Sequence, residues 1–277
     1  MSAGPPVFDR GYVRVAEGLV HYRKAGPAEG RALVMLHASP SSSRSVEPLA
    51  RLLPGRLWMP DTPGNGASSP PGMAVPELGD YADMLDRAAD ALGLETIDLY
   101  GTHTGAHIAI EWAIARPERV RSLILDGVAL FDAATAAEFL AHYAPPQRPD
   151  ASGTQFAWAW NMIRDQMIFW PHYKKDSAHL RRDGQFDAKL LHELTLDLLN
   201  ALETYHQAYE AVFRHEVLAR LPLVTRPTLW MQGEGGPLDT DAGAALARLA
   251  SHRLVMVEGF EGRCAAMVEF LGEAGEA

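Results

Sequence analysis

Short apolar runs alternate with helix-patterned stretches along most of this chain, and that alternation admits few architectures. Leu19 to Lys24 and Ala32 to His37 read as strands. The second is a near-continuous apolar run, ALVML, of the kind buried on both faces of a sheet. A helical segment follows from Ser45 to Leu53, then a strand from Arg56 to Met59, a helix around Tyr81 to Leu92 and a strand from Ile97 to Tyr100. A helix from Thr104 to Arg116 and a strand from Ser122 to Leu125 continue the series. Such βαβα order implies a mostly parallel sheet covered by helices. The alternation stops between Phe131 and Arg220, where the text is helical and aromatic-rich. It resumes as strand Thr228 to Met231, helix Asp241 to Ala250, strand Arg253 to Val257 and helix Arg263 to Leu271. The reading is therefore an α/β core made of residues 1–130 and 221–277, with residues 131–220 inserted as a helical cap over the carboxyl edge where open sheets bind ligands. The Gly/Glu/Ala tail after Leu271 is expected to fray.

With 277 residues and 47% hydrophobic content, the chain can bury a substantial core. Its net charge is −10 and no basic run concentrates the positive side chains, which argues against nucleic-acid or anionic-membrane partners. Cys264 is the single cysteine, so neither an intramolecular disulfide nor a multi-cysteine metal site can form. No stretch approaches the roughly 18 apolar residues of a membrane helix, and the opening MSAGPPVFDR lacks a cationic and then apolar leader. A cytoplasmic protein is expected. No G-x-G-x-x-G follows a strand, so no redox cofactor is expected. The oligomeric state is not written in the pattern.

Three glycine- and proline-rich segments fall at strand carboxyl ends: His37-Ala38-Ser39-Pro40, Asp61-Thr62-Pro63-Gly64-Asn65-Gly66-Ala67-Ser68, and Gly101-Thr102-His103-Thr104-Gly105. The third joins a strand to a helix with almost no loop. So tight a turn needs glycines at 101 and 105, where a Cβ would strike backbone, and it thrusts its middle residue, His103, toward a pocket.

Together these segments resemble the α/β-hydrolase superfamily, in particular its capped branch of haloalkane dehalogenase-like and epoxide hydrolase-like enzymes. In that branch H-G-x-P, D-x-P-G-x-G-x-S and G-x-S/D-x-G occur in this order. The resemblance covers about Leu19 to Gly127 and Leu221 to Leu271. It implies an α/β-hydrolase fold with His103 at the nucleophile position, and an oxyanion cradle from the Thr104 N–H and an N–H of the Ala38–Ser39 segment. His37 resembles a histidine bracing that loop at the substrate side, and Asp61 a loop-bracing acid. The other two triad positions depart from the family. Gly236 stands where an acid is expected, with Asp239 and Asp241 nearby as helix-capping residues. The base position holds Glu261 or Gly262, depending on a one-residue shift. Asp126, at the end of its strand, lies near an alternative acid position.

An imidazole at the turn can serve as general base, as nucleophile or as hydrogen-bond donor. His103, His107 and Glu111 share a helix face at metal-ligand spacing, but only the first belongs at the pocket in this fold, so no metal is expected. In the cap, Phe156, Trp160, Ile163, Met167 and Trp170 recur at helical spacing, as do Tyr205, Tyr209 and Phe213, while Trp158, Phe169 and Tyr173 fall partly off the stripe. Trp158, Phe169, Trp170, Tyr173 and Tyr205 are the expected pocket aromatics. The implied function is cofactor-free hydrolysis of a small apolar or aromatic ester, lactone or activated ketone, or related lyase chemistry, with a small molecule as partner. The alternative is a catalytically silent homologue that binds a small ligand.

Overall fold

The computed structural model describes residues 7–181, 186–233 and 242–276. Eight strands form one sheet: β1 (Asp9–Val15), β2 (Gly18–Ala25), β3 (Ala32–Leu36), β4 (Arg56–Pro60), β5 (Ile97–Thr102), β6 (Val120–Asp126), β7 (Thr228–Gly233) and β8 (His252–Val257). Their spatial order is β1-β2-β4-β3-β5-β6-β7-β8. The β1–β2 and β2–β4 pairs are antiparallel, and every pairing from β4 through β8 is parallel.

The helices are α1 (Glu47–Ala50), α2 (Leu78–Ala91), α3 (Thr104–Ala115), α4 (Ala133–His142), α5 (Thr154–Ile168), α6 (Ala188–Asn200), α7 (Tyr205–Arg214), α8 (Val217–Arg220), α9 (Gly243–Leu246) and α10 (Gly259–Glu276). Helices α4 to α8 all lie between β6 and β7. Apart from one isolated bridge, Phe169 to Leu180, the described residues of that stretch contain no strand. No described helix is long and apolar enough to cross a membrane.

Burial explains why the central strands are so apolar. All five residues of β3 are buried, and the two faces of the sheet feed separate clusters. One includes Val34, Leu99, Leu123, Ile108 and Trp112, and the other Met35, Met59, Tyr100, Ile124 and Phe270. One polar pairing within this core joins α2 to α3: Trp112 Nε1 donates to Asp86 Oδ1 at 2.9 Å, and Asp86 also meets Arg116 and Arg119.

Four differences from the sequence expectation have local causes. β1 lacks an apolar run because it is the edge strand, with only Val13 buried. The stretch from Ser45 breaks into a 3-10 turn (Ser43–Val46) and the single turn α1, just ahead of Pro54 and Gly55. α10 begins at Gly259, whose φ of +62° lets the chain swing from β8 into the helix. The same helix continues through the Gly/Glu/Ala tail to Glu276, where fraying was expected.

Candidate functional site

The carboxyl ends of β3, β4, β5 and β6 bring the three loops together. The turn between β5 and α3 is enforced by sterics. A Cβ on Gly101 would lie 2.3 Å from the Gly105 carbonyl oxygen, and one on Gly105 2.4 Å from that of Leu36. His103 at its apex has φ 50° and ψ −117°. It is the only non-glycine residue with positive φ among the described residues, a conformation that costs on the order of 1–3 kcal/mol. Its backbone N–H donates to Asp126 O at 3.0 Å, tying the turn to the end of β6.

His103 opens into a cavity of about 910 Å³. Ala38, Ser39 and Thr104 line the same cavity, with Thr104 as the first residue of α3, so the residues expected to form the cradle converge here. The aromatic wall comes from the stretch between β6 and β7: Phe131, Tyr143 and Trp170 from its connecting segments, and Tyr209 and Phe213 from α7. Asp126, Gln232, Glu258 and the cations Arg181 and Arg263 also line the cavity.

Burial pushes the His103 imidazole below the ordinary histidine pKa. The Asp126 carboxylate works against that shift, and the Arg263 and Arg181 guanidiniums reinforce it. The side chain is nonetheless exposed at the cavity. Asp126 is committed to Arg263, with Nε–Oδ2 2.7 Å and Nη2–Oδ1 3.4 Å, and it also accepts from the Tyr100 hydroxyl at 3.0 Å.

Several expected residues stand elsewhere. His37 is buried and absent from the cavity wall; its Nε2 accepts from Thr62 N at 2.9 Å and its Nδ1 donates to Ala38 O at 2.8 Å. It braces the loop. Asp61 ties its own glycine-rich loop by accepting from Ser43 N at 2.7 Å, Ala67 N at 2.8 Å and the His21 ring at 2.8 Å. Glu261 is exposed and off the cavity because α10 has already begun at Gly259. On that helix Gly259 and Arg263, four residues apart, share the inward face, while Glu261 points away. Gly262 is off the cavity as well. Gly236, Asp239 and Asp241 lie outside the described residues.

Of the expected aromatics, only Trp170 reaches the cavity. Trp158 and Tyr205 pack on each other with ring centroids 5.6 Å apart. Tyr205 donates to Pro145 O, Tyr173 to Glu138, and Phe169 pairs its backbone with Leu180. These corrections share one cause. The inserted helices bury surface against one another as well as toward the cavity, so periodicity marks buried faces without saying which face meets the space.

His107 touches the cavity, but its Nδ1 hydrogen-bonds His215 Nδ1 at 2.9 Å. His215 Nε2 in turn meets Glu111 at 2.9 Å, and Arg220 forks onto the same carboxylate at 2.8 and 2.7 Å. His215 and Arg220 hold the Glu111 carboxyl down at about 2 despite burial. No group of three or more potential ligands is placed to hold a metal ion among the described residues. Sequence reasoning overlooked Arg263, Arg181 and Tyr143. Arg263 was recoverable from its four-residue spacing to Gly259, given the true start of α10.

A 2-hydroxy-6-oxononadienedioate/2-hydroxy-6-oxononatrienedioate hydrolase from Pseudomonas putida is 34% identical over 128 residues, which are 42% of this chain and 44% of that protein. A carboxylesterase from Bacillus subtilis is 28% identical over 127 residues, 45% of this chain and 43% of that one. The matches thus span less than half the length of either relative. The crystal structure of an enol-lactonase from Burkholderia xenovorans superposes with a TM-score of 0.70, covering 95% of this chain and all of the other at 16% identity, a likeness of fold. Residues 31–269 match the family described as alpha/beta hydrolase fold, and the chain belongs to that family.

Proposed function

We propose that the protein is a cofactor-free hydrolase of small apolar or aromatic esters, lactones or activated ketones, with His103 as general base. The observation that carries this reading is the strained apex: an imidazole held at φ 50° in a cavity beside the N-terminus of α3 and the Ala38–Ser39 loop. Water attacks the substrate carbonyl carbon and gives its proton to the imidazole. The carbonyl oxygen becomes an oxyanion facing the Thr104 and Ser39 N–H groups. Collapse of the tetrahedral species breaks the bond to the leaving group, which takes the proton back from the imidazolium. Helices α4 to α8 act as a cap whose aromatic rings exclude water and select apolar substrates. The names of the relatives, a dienedioate hydrolase and a carboxylesterase, support hydrolysis as the reaction class.

The commitment of Asp126 to Arg263 favours a second reading, a ligand-binding homologue without turnover. Purified protein assayed against p-nitrophenyl esters, lactones and aromatic ketones separates the two. Turnover that rises with pH in one step, centred below the ordinary histidine value of about 6.5, supports the base reading. A rate flat from about pH 5 to 9 argues against an ionising imidazole, and tight binding without product over days establishes the silent homologue.

The active protein should also resist fluorophosphonates, since no serine stands at the apex. Stoichiometric serine labelling with loss of activity, read by mass spectrometry, would relocate the nucleophile.

A further inference from the structure

A hydrogen-bond chain joins α3 to the end of α7, and each of its protons has one allowed place. At the cavity end the Ala129 backbone N–H donates to His107 Nε2 at 3.3 Å, so that nitrogen is bare. A neutral imidazole carries one N–H, which for His107 must sit on Nδ1. At the outer end the Glu111 carboxylate, forked by Arg220 at 2.8 and 2.7 Å, can only accept. His215 Nε2, 2.9 Å from that carboxylate, therefore carries a proton. Between the rings, His107 Nδ1 and His215 Nδ1 stand 2.9 Å apart, and a hydrogen bond there needs one N–H and one bare nitrogen. His107 donates and His215 accepts. Both rings are neutral, and the chain is full.

An extra proton has no place while the chain is closed. On His215 Nδ1 it would set two N–H groups against each other across 2.9 Å, and on His107 Nε2 it would face the Ala129 N–H. We propose that His107 and His215 form an acid-released latch: a proton taken up at mildly acidic pH parts α7 and α8 from α3 and opens the aromatic side of the cavity. His107 is 1% exposed and the His215 side chain 7%, so a bond broken in place would strand a buried N–H. His107, Ala129, Tyr209, Val212 and Phe213 all line the cavity, so whatever it holds would feel the release. The charged and titratable groups around the pair are His103 and Glu111 on α3, Arg220 on α8, exposed Glu216 beside His215, and Arg214 at the end of α7 with its partners Glu210 and Glu77. Burial pushes the His107 imidazole well below the ordinary histidine pKa; His215 and His103 add to that shift and Glu111 opposes it. A histidine depressed in the closed form stabilises that form above the ordinary value near 6.5, and the stabilisation is lost as pH falls below it.

The latch does not depend on the reaction proposed at His103, and turnover is not needed to test it. Hydrogen–deuterium exchange of the whole protein, read by mass spectrometry and corrected for the pH dependence of intrinsic exchange, compares peptides from residues 205–220 with peptides from β5 and β6. An imidazole freed into water takes up a proton near its ordinary pKa, so opening should rise on the order of 10-fold for each ring released between about pH 7.5 and about pH 5.5. Protection over 205–220 should fall by that factor in wild type while β5 and β6 keep theirs. In the double variant His107→Gln/His215→Gln, amides can repeat every donor and acceptor of the chain but take up no proton, so protection should be the same at both pH values. His215→Leu removes both of its bonds and should lack the protection even at the higher pH. Unchanged protection in wild type, an equal loss in the double variant, a loss shared by β5 and β6, or wild-type protection in His215→Leu overturns the proposal. Thermal melting of each variant checks that the fold is retained.

Discussion

His103→Ala should lose at least 100-fold in kcat on whichever ester, lactone or ketone wild type turns over, the ordinary scale for removing a general base. The loss should fall on kcat more than on KM, because the aromatic wall of the cavity is untouched. His103→Ser should be no better, although serine is the usual residue of such a turn. A hydroxyl needs a histidine to take its proton and a carboxylate to orient that histidine. His37 is tied to Thr62 and Ala38, and His107 to His215, so neither is free for that task. Glu261 faces solvent, and Asp126 is held by Arg263. The oxyanion cradle alone should then leave weak residual hydrolysis. Steady-state kinetics with p-nitrophenyl esters measures both variants. Full native activity in His103→Ala would place the centre elsewhere, and efficient turnover by His103→Ser would mean that another histidine and acid reach the apex.

Asp61→Ala should destabilise the protein by about 3–5 kcal/mol, the range for removing one partner of a buried charged network. The substitution strands two backbone N–H donors, Ser43 and Ala67, together with the His21 ring. It also empties space against Gly66, where a Cβ would lie 2.1 Å from Asp61 Oδ2. The hydrogen bonds from His21, Ser43 and Ala67 keep the Asp61 carboxyl well below its usual range even though burial alone would raise it. Its folded pKa is depressed, so its stabilisation is present above the unfolded value near 4 and is lost as pH falls below it. Urea unfolding of the variant should accordingly show both the lower midpoint at pH 7 and a shallower acid limb. A change under about 1 kcal/mol would show that the loop does not depend on this carboxylate.

Sterics and hydrophobic period made much of this architecture readable from the chain. Gly101 and Gly105 mark the apex because nothing larger fits, and ALVML marks a strand buried on both faces. What escaped was decided by register. Whether Glu261 or Arg263 faces inward depends on where α10 starts, and Gly259 sets that through a backbone angle that no side-chain pattern displays. Tyr143 was hidden for a related reason. It follows α4, whose single buried residue is Phe139, so no stripe points to it, yet it meets Trp170, Tyr209 and Phe213 in one ring cluster. The role of Arg263 is a tertiary matter altogether, since its partner Asp126 lies 137 residues away.

Helices α6 and α7 are latched to the cavity side of the sheet. The Tyr209 hydroxyl donates to Ser39 O at 2.8 Å, the Thr204 hydroxyl to Gly64 O at 2.5 Å, and Ser42 and Arg44 meet Asp197 at 3.2 Å. Tyr209 therefore has two duties, as part of the aromatic wall and as a stay on the loop that carries Ser39. A substitution there that widens the space for a bulkier molecule also slackens that loop. If the proposed reaction holds, selectivity and rate are mechanically tied in this chain. Any lineage drifting toward new substrates through α7 would have to re-anchor Ser39 by other means or accept slower turnover as it broadens its diet.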